Sequence, residues 1–434
     1  MTDMQLATLI LLGTFIIFVI CKLPITFALV SSTMLTMFYL GIPVMAMLQQ
    51  MAKAVNSFSL MAVPFFILAG EIMGEGGISE RIVKFANVLV GRFRGGLAQA
   101  NCIDSMFFGG ISGSAVADVS SLGSIMIPIM VKEGYDDEFA VSITVASACQ
   151  GVLIPPSHNM VIYSVAAGGV SVGRLFWGGY IPGIMIGVSL MVVSAIYSIK
   201  RQYPKGDPIS LKEALAIIKD ALVALFTAVI IMGGVATGKF TATESAAIAC
   251  IYAFIVSLFY YKELKISKMP KILYSTVKTL ALVFSLIAAA GAFGWMLAYL
   301  KVPALITEFF MSISDNRIVV LVLINVMLLA LGCIMDMAPL ILICTPILVP
   351  VVAQFGMGPV QFGIVLIMNL AIGLCTPPVG SALFVGCAIG KIPMEKVVKT
   401  MLPMFFAMIV VLMLVTFIPQ LTTFLPDLVM GPAL

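Results

Sequence analysis

The segment Gly151-Val152-Leu153-Ile154-Pro155-Pro156-Ser157-His158-Asn159 interrupts a long apolar run, 139–170, with two successive prolines. A second apolar run, 361–390, is interrupted the same way at Gly373-Leu374-Cys375-Thr376-Pro377-Pro378. Proline removes a backbone N–H and clashes with the preceding turn, so neither run reads as one continuous helix. The breaks lie 222 positions apart, and that single ungapped offset aligns more than the prolines. Gly110 falls on Gly332, Pro128 on Pro350, Gly134 on Gly356, Gly151 on Gly373, Ala166 on Ala388 and Gly168 on Gly390. Glycine and proline mark where a backbone turns or breaks. A series of such matches at one register therefore predicts an internal repeat of about half the chain, 1–200 and 201–434.

Composition says where these breaks lie. The chain has 434 residues, 61% of them hydrophobic and 10% charged, with a mean hydropathy of +1.16. Soluble domains carry about 25% charged residues, so this is a polytopic α-helical membrane protein in contact with the lipid bilayer, with apolar sequence for roughly ten spans of about 20 residues. Disordered, collagen-like and disulfide-stapled secreted chains are excluded. The net charge of +4 is what cytoplasmic loops normally carry and implies no nucleic-acid partner. The eight cysteines sit in apolar runs without a CxxC pair and read as reduced packing residues.

Apolar stretches at 5–21, 25–41, 56–75, 173–199, 221–238, 243–261, 279–300 and 400–425 are candidate spans. Met1 to Val19 lacks a basic leader and a cleavage site, and reads as part of the first span. Two stretches broken by polar or Gly/Pro clusters, 97–131 and 317–352, read as re-entrant hairpins. Basic residues gather at Lys22, Arg81 to Arg94, Lys200 to Lys219, Lys262 to Lys278 and Lys391 to Lys399. The positive-inside rule puts all five clusters in the cytoplasm and the N-terminus in the periplasm. The two hairpins then enter from opposite faces. Residues 79–95 and 303–315 mix apolar and polar positions at helical spacing, as interfacial arms do.

Inverted repeats with interrupted helices are the sequence pattern of secondary transporters, with the site near the interruptions. Carbonyls freed by the Pro pairs, together with Ser hydroxyls, are neutral oxygen ligands suited to a small cation such as Na⁺. The half-helix starting after Pro156 turns its positive end to the same place and favours an anion. Under the repeat, Ser114 falls on Asp336, a carboxylate inside an apolar hairpin and costly unless functional. Glu71, Asp104, Asp118 and Glu244 read as hydrogen-bonded packing residues or caps. An intramembrane enzyme is disfavoured because HExxH and a protease-type Asp pair are lacking. A channel would need rings of like residues. A stand-alone cation-coupled dicarboxylate symporter or Na⁺/H⁺ antiporter is the remaining alternative.

Five motifs in order resemble one family. They are Ser59 to Met73, the tip Ile111-Ser112-Gly113-Ser114, Gly123 to Pro128, Ile154-Pro155-Pro156-Ser157 and Phe240-Thr241-Ala242-Thr243-Glu244. The chain resembles the large membrane subunit of tripartite ATP-independent periplasmic (TRAP) transporters. The resemblance implies an elevator-type importer of the bacterial inner membrane, driven by two or more transported Na⁺ ions. Its partners would be a small four-helix membrane subunit, here a separate chain, and a periplasmic substrate-binding protein that delivers a carboxylate. By the same resemblance one sodium site falls near Ser112, Ser114, Gly151 and Ile154, and the other near Gly332, Asp336, Gly373 and Thr376. Ser157-His158-Asn159 resembles a variant found in members handling acidic sugars. Sialic acid is thus the expected substrate, with Ser381 as a further contact and C4-dicarboxylates next.

Overall fold

Prolines and polar clusters divide the apolar sequence into twenty α-helices in the computed structural model, which describes residues 3–206, 210–236 and 239–432, and only the backbone at 110–112 and 236. The first half runs α1 (Asp3–Ile20), α2 (Ile25–Leu40), α3 (Val44–Val55), α4 (Ala62–Glu75), α5 (Ile78–Val90), α6 (Gly96–Ser112), α7 (Ala115–Lys132), α8 (Asp137–Gly151), α9 (His158–Ala166) and α10 (Val172–Lys200). The second runs α11 (Leu211–Ala236), α12 (Ala242–Ile255), α13 (Met269–Tyr299), α14 (Val302–Ile313), α15 (Arg317–Gly332), α16 (Met337–Gln354), α17 (Pro359–Gly373), α18 (Ser381–Gly390), α19 (Met394–Phe417) and α20 (Gln420–Met430). Among the described residues nine helical stretches are long and apolar enough to cross a membrane, and no strand forms beyond one isolated bridge between Arg94 and Lys205.

The offset read from the sequence reappears in the helices. The bounds of α8 and α17 differ by 222 at both ends, and α10 and α19 start 222 residues apart. α6 and α7 form the first hairpin, and α15 and α16 the second. Each of α8 and α17 has 15 residues, about 22 Å of helix, too short to cross about 30 Å of hydrocarbon unaided. Every residue from Phe139 to Gly151 and from Gln361 to Gly373 is buried. A helix apolar on all sides is stable only at the centre of a bundle, and these two form that centre. The Cys149 thiol donates to the carbonyl of Ala371 at 3.0 Å. Cys149 and Ala371 are each other's repeat equivalents, so the pseudo-two-fold relation passes between them. Around that point the halves exchange partners, with α18 packed on α7 and α9 on α16.

Outside this core, α4 packs on α12, and α13 lies against α2, α3 and α4. The arms bridge the two layers: α5 touches α11 and α6, while α14 touches α13 and α16. Arg81 of α5 is held by Asp220 at 2.8 Å and Glu263 at 2.9 Å, with its guanidinium 3.6 Å above the Tyr261 ring. Glu71 accepts from Ser275 at 2.9 Å, and Glu244 closes a capping box with Thr241. Two elements differ from the sequence reading. α3 is a short helix carrying Gln49, Gln50 and Lys53, too brief and too polar to register as a span. The expected span 400–425 stops at Phe417, because Pro419 cannot continue the α19 hydrogen-bond ladder. α20 instead turns back onto α10, where Arg174 pairs with Asp427 at 2.8 Å and also donates to the Gly431 carbonyl.

Buried polar side chains tie the core helices together. Asn369 of α17 donates to Asn325 of α15 at 2.7 Å, and Asn325 donates to Thr416 of α19 at 3.3 Å. Interhelical hydrogen bonds in a membrane average about 0.6 kcal/mol. Asn369→Ala is expected to cost about 1 kcal/mol, seen as a small fall in the unfolding temperature of the purified chain with folding intact.

Candidate functional site

Each hairpin tip is pressed against the break in its own half. At the first, a Cβ placed on Gly109 would lie 2.1 Å from the Cα of Gly151, closer than any real side-chain carbon. At the second, a Cβ on Gly373 would lie 2.5 Å from the carbonyl carbon of Gly332. Gly151 and Gly373, both expected site residues, are therefore helix-crossing points. α8 and α17 end there, and both following Pro–Pro bonds are cis.

The chain reverses at the first tip through Gly113, whose φ of 62° is the left-handed conformation that glycine accepts without strain. Ser114 then caps α7, its hydroxyl accepting from the Ala117 N–H at 3.3 Å. The break reaches back to this turn. Asn159 donates to the Gly113 carbonyl at 2.9 Å, and a Cβ on Gly113 would meet the His158 ring at 2.8 Å. Ser157 is fully buried with no hydrogen-bond partner for its hydroxyl among the described residues. Leu153 and Ile154 fit onto a glycine face of α10: a Cβ on Gly179 would strike the Leu153 carbonyl oxygen, and one on Gly183 the Ile154 side chain. Residues 152–157 are all buried. Ser112 closes α6, and its side chain lies outside the described residues.

The second tip is more open. The Val379 N–H donates to the Cys333 carbonyl at 3.1 Å, and the Thr376 hydroxyl to the Ile372 carbonyl at 2.8 Å. Asp336 is the N-cap residue of α16 without a side-chain cap bond, and it is exposed, as are Ile334, Pro378 and Val379. The sequence placed Asp336 in apolar surroundings. The structure puts it at the mouth of the hairpin beside exposed Pro378 and Val379, while Leu374 and Cys375 of the break stay buried, the Cys375 thiol donating to the Val145 carbonyl of α8 at 3.2 Å. Ser381 opens α18 beside this break, half-buried and without a hydrogen-bond partner for its hydroxyl among the described residues. Of the four expected substrate contacts, Ser157, His158 and Asn159 thus gather at the first tip, and Ser381 stands at the second.

The first hairpin corrects the sequence reading of Asp104 and Asp118 as hydrogen-bonded residues: none of their four carboxylate oxygens has a hydrogen-bond partner among the described residues. Asp104 of α6 and Asp118 of α7 are 0% and 1% exposed, near enough for their charges to interact, and neither takes part in an ion pair among the described residues. Ser105, whose hydroxyl donates to Ser147 at 3.0 Å, lies beside Asp118, and Asn101, one turn before Asp104, donates to Thr144 at 2.6 Å. Asp118 lies one turn beyond Ser114, its N–H donating to the Ser114 carbonyl at 2.9 Å. The signal available in the sequence was two carboxylates within one apolar hairpin, 14 residues apart.

Comparison with known proteins agrees with this architecture. Residues 12–421 match the family model of the tripartite ATP-independent periplasmic transporter, DctM component. An uncharacterized protein YgiK of Salmonella typhimurium is 44% identical, covering 97% of both chains. The sialic acid TRAP transporter large permease SiaM of Vibrio cholerae is 42% identical over 88% of this chain and 90% of that one. The C4-dicarboxylate large permease DctM of Rhodobacter capsulatus is 33% identical over 98% and 99%. In fold, the crystal structure of the Alcanivorax borkumensis YdaH transporter superposes with a TM-score of 0.65 at 12% identity, covering 84% of this chain and 86% of that one. With an all-helical inverted repeat, two hairpins and two broken helices in place, and a family match over residues 12–421, the chain belongs to the DctM family as the large permease component of a bacterial TRAP transporter.

Proposed function

We propose that this permease imports an acidic sugar of the sialic acid class, coupled to an inward flow of Na⁺. The substrate would be handed over by a periplasmic binding protein, and a four-helix membrane subunit would stand beside the scaffold. The protein would sit in the inner membrane with its N-terminus in the periplasm. The hairpins and broken helices would move as one body against α1–α4 and α11–α13, with α5 and α14 as linking arms. The observation that carries the cation is the buried Asp104–Asp118 pair. Two carboxylates sharing a low-dielectric interior with no basic partner among the described residues are stable only if protonated or compensated, and a bound cation would fill that role. The first site would combine this charge with Ser112, Ser114 and the backbone at Gly151 and Ile154. The second would use Asp336, Thr376 and the backbone at Gly332 and Gly373.

For the substrate, the positive end of α9 and the Ser157 hydroxyl favour a carboxylate near His158 and Asn159. The likeness to SiaM favours an acidic sugar over a C4-dicarboxylate. The test is uptake of radiolabelled sialic acid into proteoliposomes holding the chain and its small subunit, with binding protein and Na⁺ gradient each present or absent. Uptake requiring both supports the reading. Uptake requiring Na⁺ alone identifies a stand-alone symporter, and uptake only of C4-dicarboxylates would replace the substrate. In the same assay Asp336→Ala is expected to raise the half-saturating Na⁺ concentration about tenfold, the loss of one charged ligand. An unchanged Na⁺ response would remove Asp336 from the second site.

A further inference from the structure

A groove of about 460 Å³ runs between the end of α10 and the first turns of α19, lined by Val193, Ile196, Tyr197, Lys200, Arg201 and Pro403. Its volume falls in the range of pockets that hold a drug-sized molecule, ~300–1,000 Å³. Its chemistry is divided along its length. Lys200 and Arg201 stand at the end of the bundle where basic residues gather. Val193 and Ile196 continue along the same face of α10, reaching about 10 Å further toward the membrane centre. Exposed Val192, Ile199, Leu402 and Phe406 flank the groove, so it opens sideways toward hydrocarbon.

The two cations are held differently. Arg201 is already paired with Asp136 at 2.5 Å and Glu138 at 3.5 Å, and stacks 5.1 Å from the Tyr197 ring, which holds its guanidinium in one place. Tyr197 is itself anchored by donating to the Thr400 carbonyl of α19 at 3.2 Å. Lys200 is exposed and takes part in no ion pair among the described residues. The uncompensated charge of Lys200, beside the donor edge of Arg201 and above an apolar channel that opens to the bilayer, matches an amphiphile with a negative head and an acyl tail. A soluble anion would leave the apolar channel unused, and a neutral lipid would leave Lys200 uncompensated.

We infer that this groove binds one anionic glycerophospholipid, its phosphate on Lys200 and Arg201 and an acyl chain along Val193, Ile196 and Pro403. The site lies on α10 and α19, the last long helices of each half, so the lipid would bridge the two repeats. The inference is independent of the transported substrate and of its coupling ion.

Native mass spectrometry of the detergent-purified chain, titrated with phosphatidylglycerol against phosphatidylcholine, tests it. The wild-type chain is expected to retain one phosphatidylglycerol in preference to phosphatidylcholine. Lys200→Gln is expected to weaken that adduct about fivefold, the contribution of one cation at an anionic lipid surface. Ile196→Trp, which fills the apolar channel and leaves both cations, is expected to weaken it too. Lys212→Gln, a basic residue away from the groove, is expected to change nothing. Size-exclusion profiles confirm that each variant is folded. Equal retention of the two lipids, an unaltered adduct in Lys200→Gln, displacement by glycerol 3-phosphate alone, or a dimer mass in place of bound lipid would each overturn the inference.

Discussion

Gly109→Ala and Gly373→Ala are each expected to leave almost no monodisperse protein in detergent extracts of expressing membranes. Both residues sit where a hairpin crosses the end of a broken helix, and the added methyl group would overlap backbone: Gly151 in one case, Gly332 in the other. Overpacking that side chains can relieve costs about 1–3 kcal/mol. Here no side chain is available to move, so the cost lies above about 3 kcal/mol, a large part of the stability of a natural protein. Gly74→Ala is the control. It lies within α4 with nothing within 4 Å of a new Cβ, and replacing glycine in a helix interior gains roughly 0.5–1 kcal/mol. Size-exclusion profiles of the three variants decide the matter. A monodisperse, transport-competent Gly373→Ala would show that the second tip does not need this close approach.

The same glycines explain how much of the molecule was legible from its sequence. Gly and Pro act locally, so their repetition at one offset announced the repeat, both breaks and both hairpins. The arms at 79–95 and 303–315 were visible through their mixed polarity, and they appear as α5 and α14. Contacts between the halves were not legible, since the packing of α7 on α18 or of Cys149 on Ala371 leaves no local mark. Nor was the difference between the two breaks, which share the same prolines. At the first, Gly179 of α10 admits the Leu153 carbonyl and Gly183 the Ile154 side chain. The positions 222 residues later are Met401 and Phe405, so α19 offers the second break no such glycine face, and Pro378 and Val379 are exposed. Asp336 looked buried in the sequence for a related reason: hydropathy registers apolar neighbours along the chain and is blind to a tip that stands clear of them.

Asp118→Asn is expected to abolish stabilisation of the purified chain by Na⁺, without any need to measure transport. If a cation compensates the Asp104–Asp118 pair, Na⁺ binds the folded state and has no such site in the unfolded chain. At a concentration 100 times the dissociation constant that linkage is worth about 2.7 kcal/mol, so the wild-type chain should unfold at a clearly higher temperature in Na⁺ than in choline. The variant removes one of two like charges buried together. Its unfolding temperature in choline is therefore expected to rise above that of the wild type, because an uncompensated buried charge is itself destabilising. A simple structural defect would lower stability in both salts, so the opposite signs distinguish loss of a cation site from damage to the hairpin. Asp336→Asn provides the comparison between halves. Exposed at its tip, Asp336 has no desolvation cost to relieve, and its replacement should reduce the Na⁺ effect without the gain in choline. Equal stability of the wild-type chain in the two salts would remove Na⁺ from the first hairpin, and a full Na⁺ effect in Asp118→Asn would move the cation away from this pair.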